Sequence, residues 1–309
     1  MVPRVFLCVS IDCECDKGPG WRTRRPLTFE GVRTGVGDRL DPLFRRFGAK
    51  PTYLVSPEVL RDAASVERFT RVAGCELGAH LHGEFADPGA YEPDVTAAVQ
   101  RDYPPDVERA KLFSLHGAFR TAFGRAPKSF RAGRFGVGPR TLPVLDELGY
   151  AVDSSVTPHV DWSNISPGLT FVGAPTQPYH PDPSDAGRPG DSRLIEIPVT
   201  IRRSLLASVP FVGRLCEARW LRPTRSDARR LASIARAEIA EAWHANPGAP
   251  VVLNAMLHNV EVVAGASPYA ATERAARRIL DNLAGLLDFA RRSAFACVGL
   301  ADVPELLTG

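Results

Sequence analysis

The chain has 309 residues, of which 44% are hydrophobic and 24% charged, the balance of a soluble globular protein rather than a disordered or fibrous one. Its net charge of +3 is too small to imply nucleic-acid binding. Nowhere do about 18 uninterrupted apolar residues occur, so no transmembrane segment is expected.

The opening MVPRVFLCVSIDCEC runs straight into polar residues, without the long apolar core and small-residue cleavage site of a leader, and a cytoplasmic location is the expectation. The first strand-like run, 4–11, ends at Asp12 and Glu14. Residues two apart on a strand point to one face, so this pair delivers two carboxylates into one space. Cys13 and Cys15 then face the other way. With Cys8, Cys75, Cys216 and Cys297 they offer no second cysteine pair of metal-binding spacing, and buried free thiols are expected.

A helix-like segment at 37–47, a strand at 51–55 and a helix at 57–72 follow. The next strand, 75–80, runs into ELGAHLHGE, where His80 and His82 repeat the spacing of the first pair. Two imidazoles and a carboxylate suffice to hold a divalent metal with open positions, and the remaining carboxylate is free to act as a base. After a helix at 105–123, the strand 128–131 ends at Arg131 in FRAGRFG. The helix 139–148 is punctuated by an early proline and by Gly149.

A strand at 150–154 leads to a loop insertion over 158–193, rich in Pro, Gly, Asp and Ser. A loop of that length in a compact domain is more often functional than idle. Beyond a strand at 194–200, the stretch 202–230 carries eight arginines, Arg219 and Arg222 among them, against two acidic residues. It reads as a basic helical excursion, either a solvated face or a surface for an anionic or lipid-linked substrate. A helix at 226–245 precedes the continuous apolar run 250–257, the mark of a buried parallel strand, which ends at His258. A helix at 269–292 and a strand at 295–298 complete the alternation. Alternating strands and helices predict a parallel sheet with helices outside, and in such barrels reactive groups sit at the carboxyl ends of strands. Asp12, Glu14, His80, His82, Arg131 and His258 all fall there.

At these residues the chain resembles the polysaccharide deacetylases of carbohydrate esterase family 4, the nodulation-protein type of N-deacetylase, from SIDCE to HNVE. The resemblance implies an α/β fold, a distorted (β/α)7-type barrel, and a single catalytic domain over 1–309. SIDCE matches the first motif with Asp12 as base and Glu14 as metal ligand. GAHLHGE matches the second at His80, but Glu84 stands where the other histidine would fall, so either His82 or Glu84 is the third ligand. FRAGRFG matches the third motif at Arg131, which would tune Asp12, with an oxyanion donor near Gly133 to Phe135 and with Arg134 and Phe135 beside the substrate. HVDWS resembles the fourth motif, where Trp162 would line the pocket and Asp161 would touch the acid histidine. Leu257 and His258 match the last motif, and His258 would protonate the departing amine.

The implied activity is metal-dependent removal of an N-acetyl group from an amino sugar, with Zn2+ as the expected ion and Co2+, Ni2+ or Mn2+ as substitutes. The implied partner is a small N-acetylated sugar or carrier-linked glycan, with peripheral contact to a lipid-linked substrate. An amidohydrolase acting on a non-sugar amide, a non-catalytic glycan-binding relative and a two-histidine-one-carboxylate iron oxygenase are the rival classes. The alternating strand and helix pattern argues against the last.

Overall fold

A computed structural model of the chain describes residues 5–90, 99–203 and 218–308. Its strands in chain order are β1 (Val5–Cys13), β2 (Thr52–Val55), β3 (Glu76–Leu81), β4 (Ser129–Ala132), β5 (Val152–Asp153), β6 (Pro181–Asp182), β7 (Asp185–Pro189), β8 (Ile195–Glu196), β9 (Ile201–Arg202), β10 (Arg219–Trp220), β11 (Val251–His258) and β12 (Ala296–Cys297). The helices are α1 (Asp41–Phe47), α2 (Pro57–Leu60), α3 (Ala63–Thr70), α4 (Pro105–Phe123), α5 (Thr141–Glu147), α6 (Ala228–Ala245), α7 (Glu273–Arg292) and α8 (Val303–Thr308). Strands β11-β1-β2-β3-β4-β5-β8 form one parallel sheet in that order, and β12 also pairs with β1. The sheet curls into a distorted (β/α)7 barrel with the helices outside it.

The two-residue period of the strands divides the chain into an outer and an inner set. Val9, Ile11 and Cys13 of β1, with Tyr53, Ala79, Leu81 and Phe130, join the large cluster between sheet and helices. Phe6, Cys8, Leu54, Val152, Ile197 and Val252 meet Leu300 and Val303 in a separate apolar cluster, the floor of the barrel. Above that floor lies a polar layer. Ser10 donates to Asn254 Oδ1 at 2.8 Å, and Asn254 Nδ2 donates to Ser154 Oγ at 2.9 Å. All three are fully buried, which such groups tolerate only because each is paired. The mouth of the barrel opens above this layer.

No strand pairing joins β8 to β11. The chain after β8 bridges the gap instead, with Thr200 N–H donating to Asn254 O at 3.0 Å and Met256 N–H donating to Leu221 O at 3.3 Å. The stretch 158–193 contains the β6–β7 hairpin, whose turn is held by Ser184 N–H donating to Asp182 Oδ1 at 2.8 Å. The single helix expected over 57–72 is divided into α2 and α3, because Asp62 caps α3 by accepting from Ser65 N–H at 3.0 Å. Within 202–230 the described residues hold the antiparallel β9–β10 pair and the start of α6; 204–217, including Cys216, lie outside them. The other five cysteines are free. Among the described residues no helix is long and apolar enough to cross a membrane.

Candidate active site

Strand register assembles the mouth. Asp12 lies beside His258 across β1–β11, and His80 lies beside Arg131 across β3–β4. Glu14 sits one residue past β1, where Asn259 clamps its backbone from both sides with two 3.0 Å hydrogen bonds. The sequence pairs Asp12/Glu14 and His80/His82 therefore face one another, all four nearly excluded from solvent.

Glu14 Oε1 is 3.3 Å from His80 Nε2 and 3.0 Å from His82 Nε2. One ligand atom from each of these three residues lies within 4.8 Å of the others, a group that could hold a metal ion. The outer atoms of all three are held. His80 Nδ1–H donates to Arg131 O at 2.9 Å, which leaves Nε2 as the lone-pair nitrogen facing inward. Lys17, itself only 3% exposed, places its ammonium 2.8 Å from Glu14 Oε2. Glu84 Oε1 lies 3.4 Å from His82 Nδ1 and 2.6 Å from Arg134. Of the two sequence alternatives, the geometry thus groups His82 with Glu14 and His80, and sets Glu84 behind His82.

Burial alone would raise the Glu14 carboxyl, but His82 and Lys17 outweigh it and hold it well below the usual carboxylate range. Burial would depress His82, yet Glu14 and Glu84 raise it to about 9. One carboxylate and two imidazoles, all buried, form a donor set that a divalent metal ion could occupy.

Asp12 stands beside this group. Its Oδ1 accepts from Arg131 Nη1 at 2.7 Å, while Oδ2 is 4.0 Å from His80 Nε2 and 3.8 Å from His258 Nε2. Burial pushes its carboxyl up, but Arg131, with His80 and His258, brings it below the ordinary value. Arg131 is fully buried, and its remaining donors go to Ser154 O, Ser154 Oγ and Ser10 Oγ at 2.7, 2.9 and 2.7 Å. The guanidinium fork is thereby fixed in direction.

His258 closes the opposite side. Its Nδ1 lies 2.9 Å from Glu261 Oε1, and Glu261 is also paired with Arg222 and hydrogen-bonded by Thr224. Burial works against ionising Glu261, but Arg222 and His258 bring its pKa down to about 2. A carboxylate at Nδ1 orients the ring and leaves Nε2 for proton exchange.

Ala132, Arg134 and Phe135 form the third wall. Arg134 and Phe135 adopt left-handed backbone, φ 56° and 55°, uncommon for such side chains and found mainly where surrounding structure enforces it. Gly133 makes the turn feasible: a methyl there would run into Leu81 O and lie 3.2 Å from the His82 ring. With Lys17, Trp21 and Thr23, these groups enclose a cavity of about 110 Å³.

Of the expected substrate residues, Phe135 and Arg134 line the cavity. Trp162 lies behind it, stacked on Phe135 at 5.9 Å and donating to Thr157 Oγ1 at 2.8 Å. Asp161 does not touch His258; it is exposed and accepts from Ser163 N–H and Oγ at 2.9 and 2.6 Å in a local turn. Glu261 holds the position expected of Asp161. Arg222, expected on a basic face, is buried behind His258, whereas Arg219 lies half-buried on β10. Lys17, Trp21 and Glu261 escaped sequence reasoning. Only Glu261 carried a signal, its three-residue spacing from His258 in HNVE.

No known family profile and no curated protein matches the chain. Among solved structures it is similar to a protein assigned as a polysaccharide deacetylase from Mycobacterium smegmatis, at 18% identity and TM-score 0.54, covering 99% of this chain and 91% of that one. A second protein assigned as a polysaccharide deacetylase, from Pseudomonas aeruginosa PAO1, gives 17% and 0.54, covering 98% and 90%. Puue allantoinase gives 16% and 0.57, with the same coverage. With its carboxylates and histidines gathered at the mouth of the barrel, the chain has the fold of the polysaccharide deacetylases.

Proposed function

We propose that this chain is a metal-dependent hydrolase that removes the N-acetyl group from an amino sugar and releases acetate. The observation that carries the reading is the division of labour at the mouth. Glu14, His80 and His82 converge on one point, while Asp12 stands beside them on Arg131 and His258 faces them on Glu261. Glu14, His80 and His82 would hold the ion, with Zn2+ the best match to the donors. When bound, the ion would supply Lewis acidity, polarising the acetamide carbonyl and lowering the pKa of water.

Asp12, kept ionised by Arg131, takes the proton from the attacking water. Its Oδ1 is engaged, so Oδ2 is the basic atom. His258 delivers a proton from Nε2 to the amine nitrogen as the C–N bond breaks, and Glu261 stabilises the charged ring. The small cavity favours a terminal or small glycoside, free or carrier-linked, over the interior of a long polymer.

A second reading, hydrolysis of a non-sugar amide, draws on the likeness to Puue allantoinase. Acetate release from N-acetylated sugars, measured beside a panel of non-sugar amides, separates the two. The zinc-loaded protein is expected to release acetate from glycosides, to lose this with a chelator and to regain it with zinc. Turnover confined to non-sugar amides would overturn the sugar assignment.

A further inference from the structure

The cavity at the mouth, about 110 Å³, is far smaller than the roughly 300–1,000 Å³ pockets that enclose a drug-sized molecule. It admits an acetamido group and leaves the ring that bears it outside. The side on which that ring rests follows from His258, because the amine nitrogen must face Nε2. On that side the surface is aromatic. The Trp21 ring packs against His258 with centroids 4.8 Å apart and planes at 66°, and Tyr269 lies 5.2 Å further on. Tyr269 is 43% exposed, and the Arg222 guanidinium lies 5.5 Å from its ring centroid.

The chain goes to some length to present Trp21. Gly20 and Trp21 are both left-handed, φ 64° and 61°, a conformation a bulky residue rarely adopts. The hairpin that carries them is tied down at Gly18 N–H to Arg22 O, 2.7 Å, and at Lys17 N–H to Ala266 O, 2.8 Å. Its Lys17 side chain is the partner of Glu14, so the wall and the ligand group are mechanically one unit. Backbone strain of this kind clusters at ligand clamps.

We propose that Trp21 and Tyr269 form a stacking platform for the pyranose ring of the substrate, on the leaving-group side of His258. The C–H face of a pyranose is apolar and meets an aromatic face without leaving polar groups unpaired, while its hydroxyls stay in water. The inference rests on the deacetylase reading for the occupant, an N-acetylated hexosamine, and it adds the surface that selects it.

Ligand-observed saturation-transfer NMR tests the platform without turnover, using zinc-loaded protein in an Asp12→Asn background and methyl N-acetyl-β-glucosaminide as probe. Transfer to the pyranose ring protons is expected, cut at least fivefold by Trp21→Ala and by Tyr269→Ala and kept by Trp21→Phe. With Asp12 intact, the two alanine variants should raise KM roughly 3–10-fold and leave kcat within about twofold. Loss of kcat at unchanged KM would make Trp21 a mere support for His258 and overturn the platform. Glycoside turnover with undiminished binding in both alanine variants would also overturn it while leaving the deacetylase reading intact. Ring-proton transfer that depends on Trp21 and Tyr269, without acetate release from any glycoside, would uphold the platform and overturn the reaction.

Discussion

Lys17 confines Glu14 to one geometry. A buried ammonium 2.8 Å from Oε2 leaves Oε1 as the atom that faces both histidines. Removing the partner of a ligating carboxylate typically costs about 10–100-fold in metal affinity. Lys17→Met should therefore weaken zinc binding by about that factor in competition with a chromophoric chelator; unchanged affinity would show that Glu14 needs no such support. Asp12 is distinguished by the opposite result. Asp12→Asn should keep zinc affinity within a few-fold yet lower kcat by about 10²–10⁴-fold, the scale of a lost general base. Were the variant to lose its zinc, Asp12 would have to be rewritten as a ligand. This arrangement was only partly visible in the sequence. Asp12, Glu14, His80 and His82 announce themselves because side chains two apart on a strand share a face. Lys17 does not, since its direction is set by a hairpin and not by a strand.

At the scale of elements, the exit of β4 controls the exit of β3. Gly133 passes so close to Leu81 and the His82 ring that a methyl group has no room. Gly133→Ala is expected to shift His82, lowering both zinc affinity and melting temperature, and normal values of both would refute the packing argument. A second pair of elements carries a pH signature. Asp153 and Glu196 oppose each other across β5–β8, both fully buried. Burial raises both, and for Glu196 the neighbouring Asp153 raises it further. A group whose folded pKa is raised contributes stability that is complete below its unfolded value, near 4, and lost as pH rises through the folded value. The contribution of this pair to Tm should thus decline as pH rises above about 4, and Glu196→Gln should flatten that decline. Equal slopes in thermal melts would dismiss the pair as its source.

For the whole molecule, the ion would act as a fastener between β1 and β3. A ligand present at 100 times its Kd stabilises the folded state by about 2.7 kcal/mol. At roughly 2–4 °C per kcal/mol for chains of this size, chelation should lower Tm by about 5–10 °C, reversibly on adding zinc. A Tm indifferent to chelator would mean that Glu14, His80 and His82 hold nothing. The architecture was more readable than the site. Every predicted strand run has its counterpart in the sheet, most legibly β1, β2 and β11, because parallel strands buried on both faces leave continuous apolar runs. What stayed hidden came from loops and from long-range pairing. Trp21 reaches His258 only through a left-handed turn, and Ser10, Ser154 and Asn254 look in the sequence like interruptions of apolar strands rather than members of one buried network. Asp161 misled because an Asp two residues before a serine amide forms its own turn as readily as it serves a pocket.

The pairing of β1 with β11 places a condition on how the molecule comes into being. Val5 lies beside Val251, and Asp12 beside His258, so partners in one ladder are made 246 residues apart. At about 5–20 residues per second, the ribosome takes roughly 12–50 s to supply the second partner. Through that interval β1 can take β2 on one flank while the other remains an open edge, able to pair with another chain. Contacts so distant along the chain also fold slowly. The strand that bears Asp12 and leads into Glu14 is thus made well before its β11 partner and is among the last to be completed.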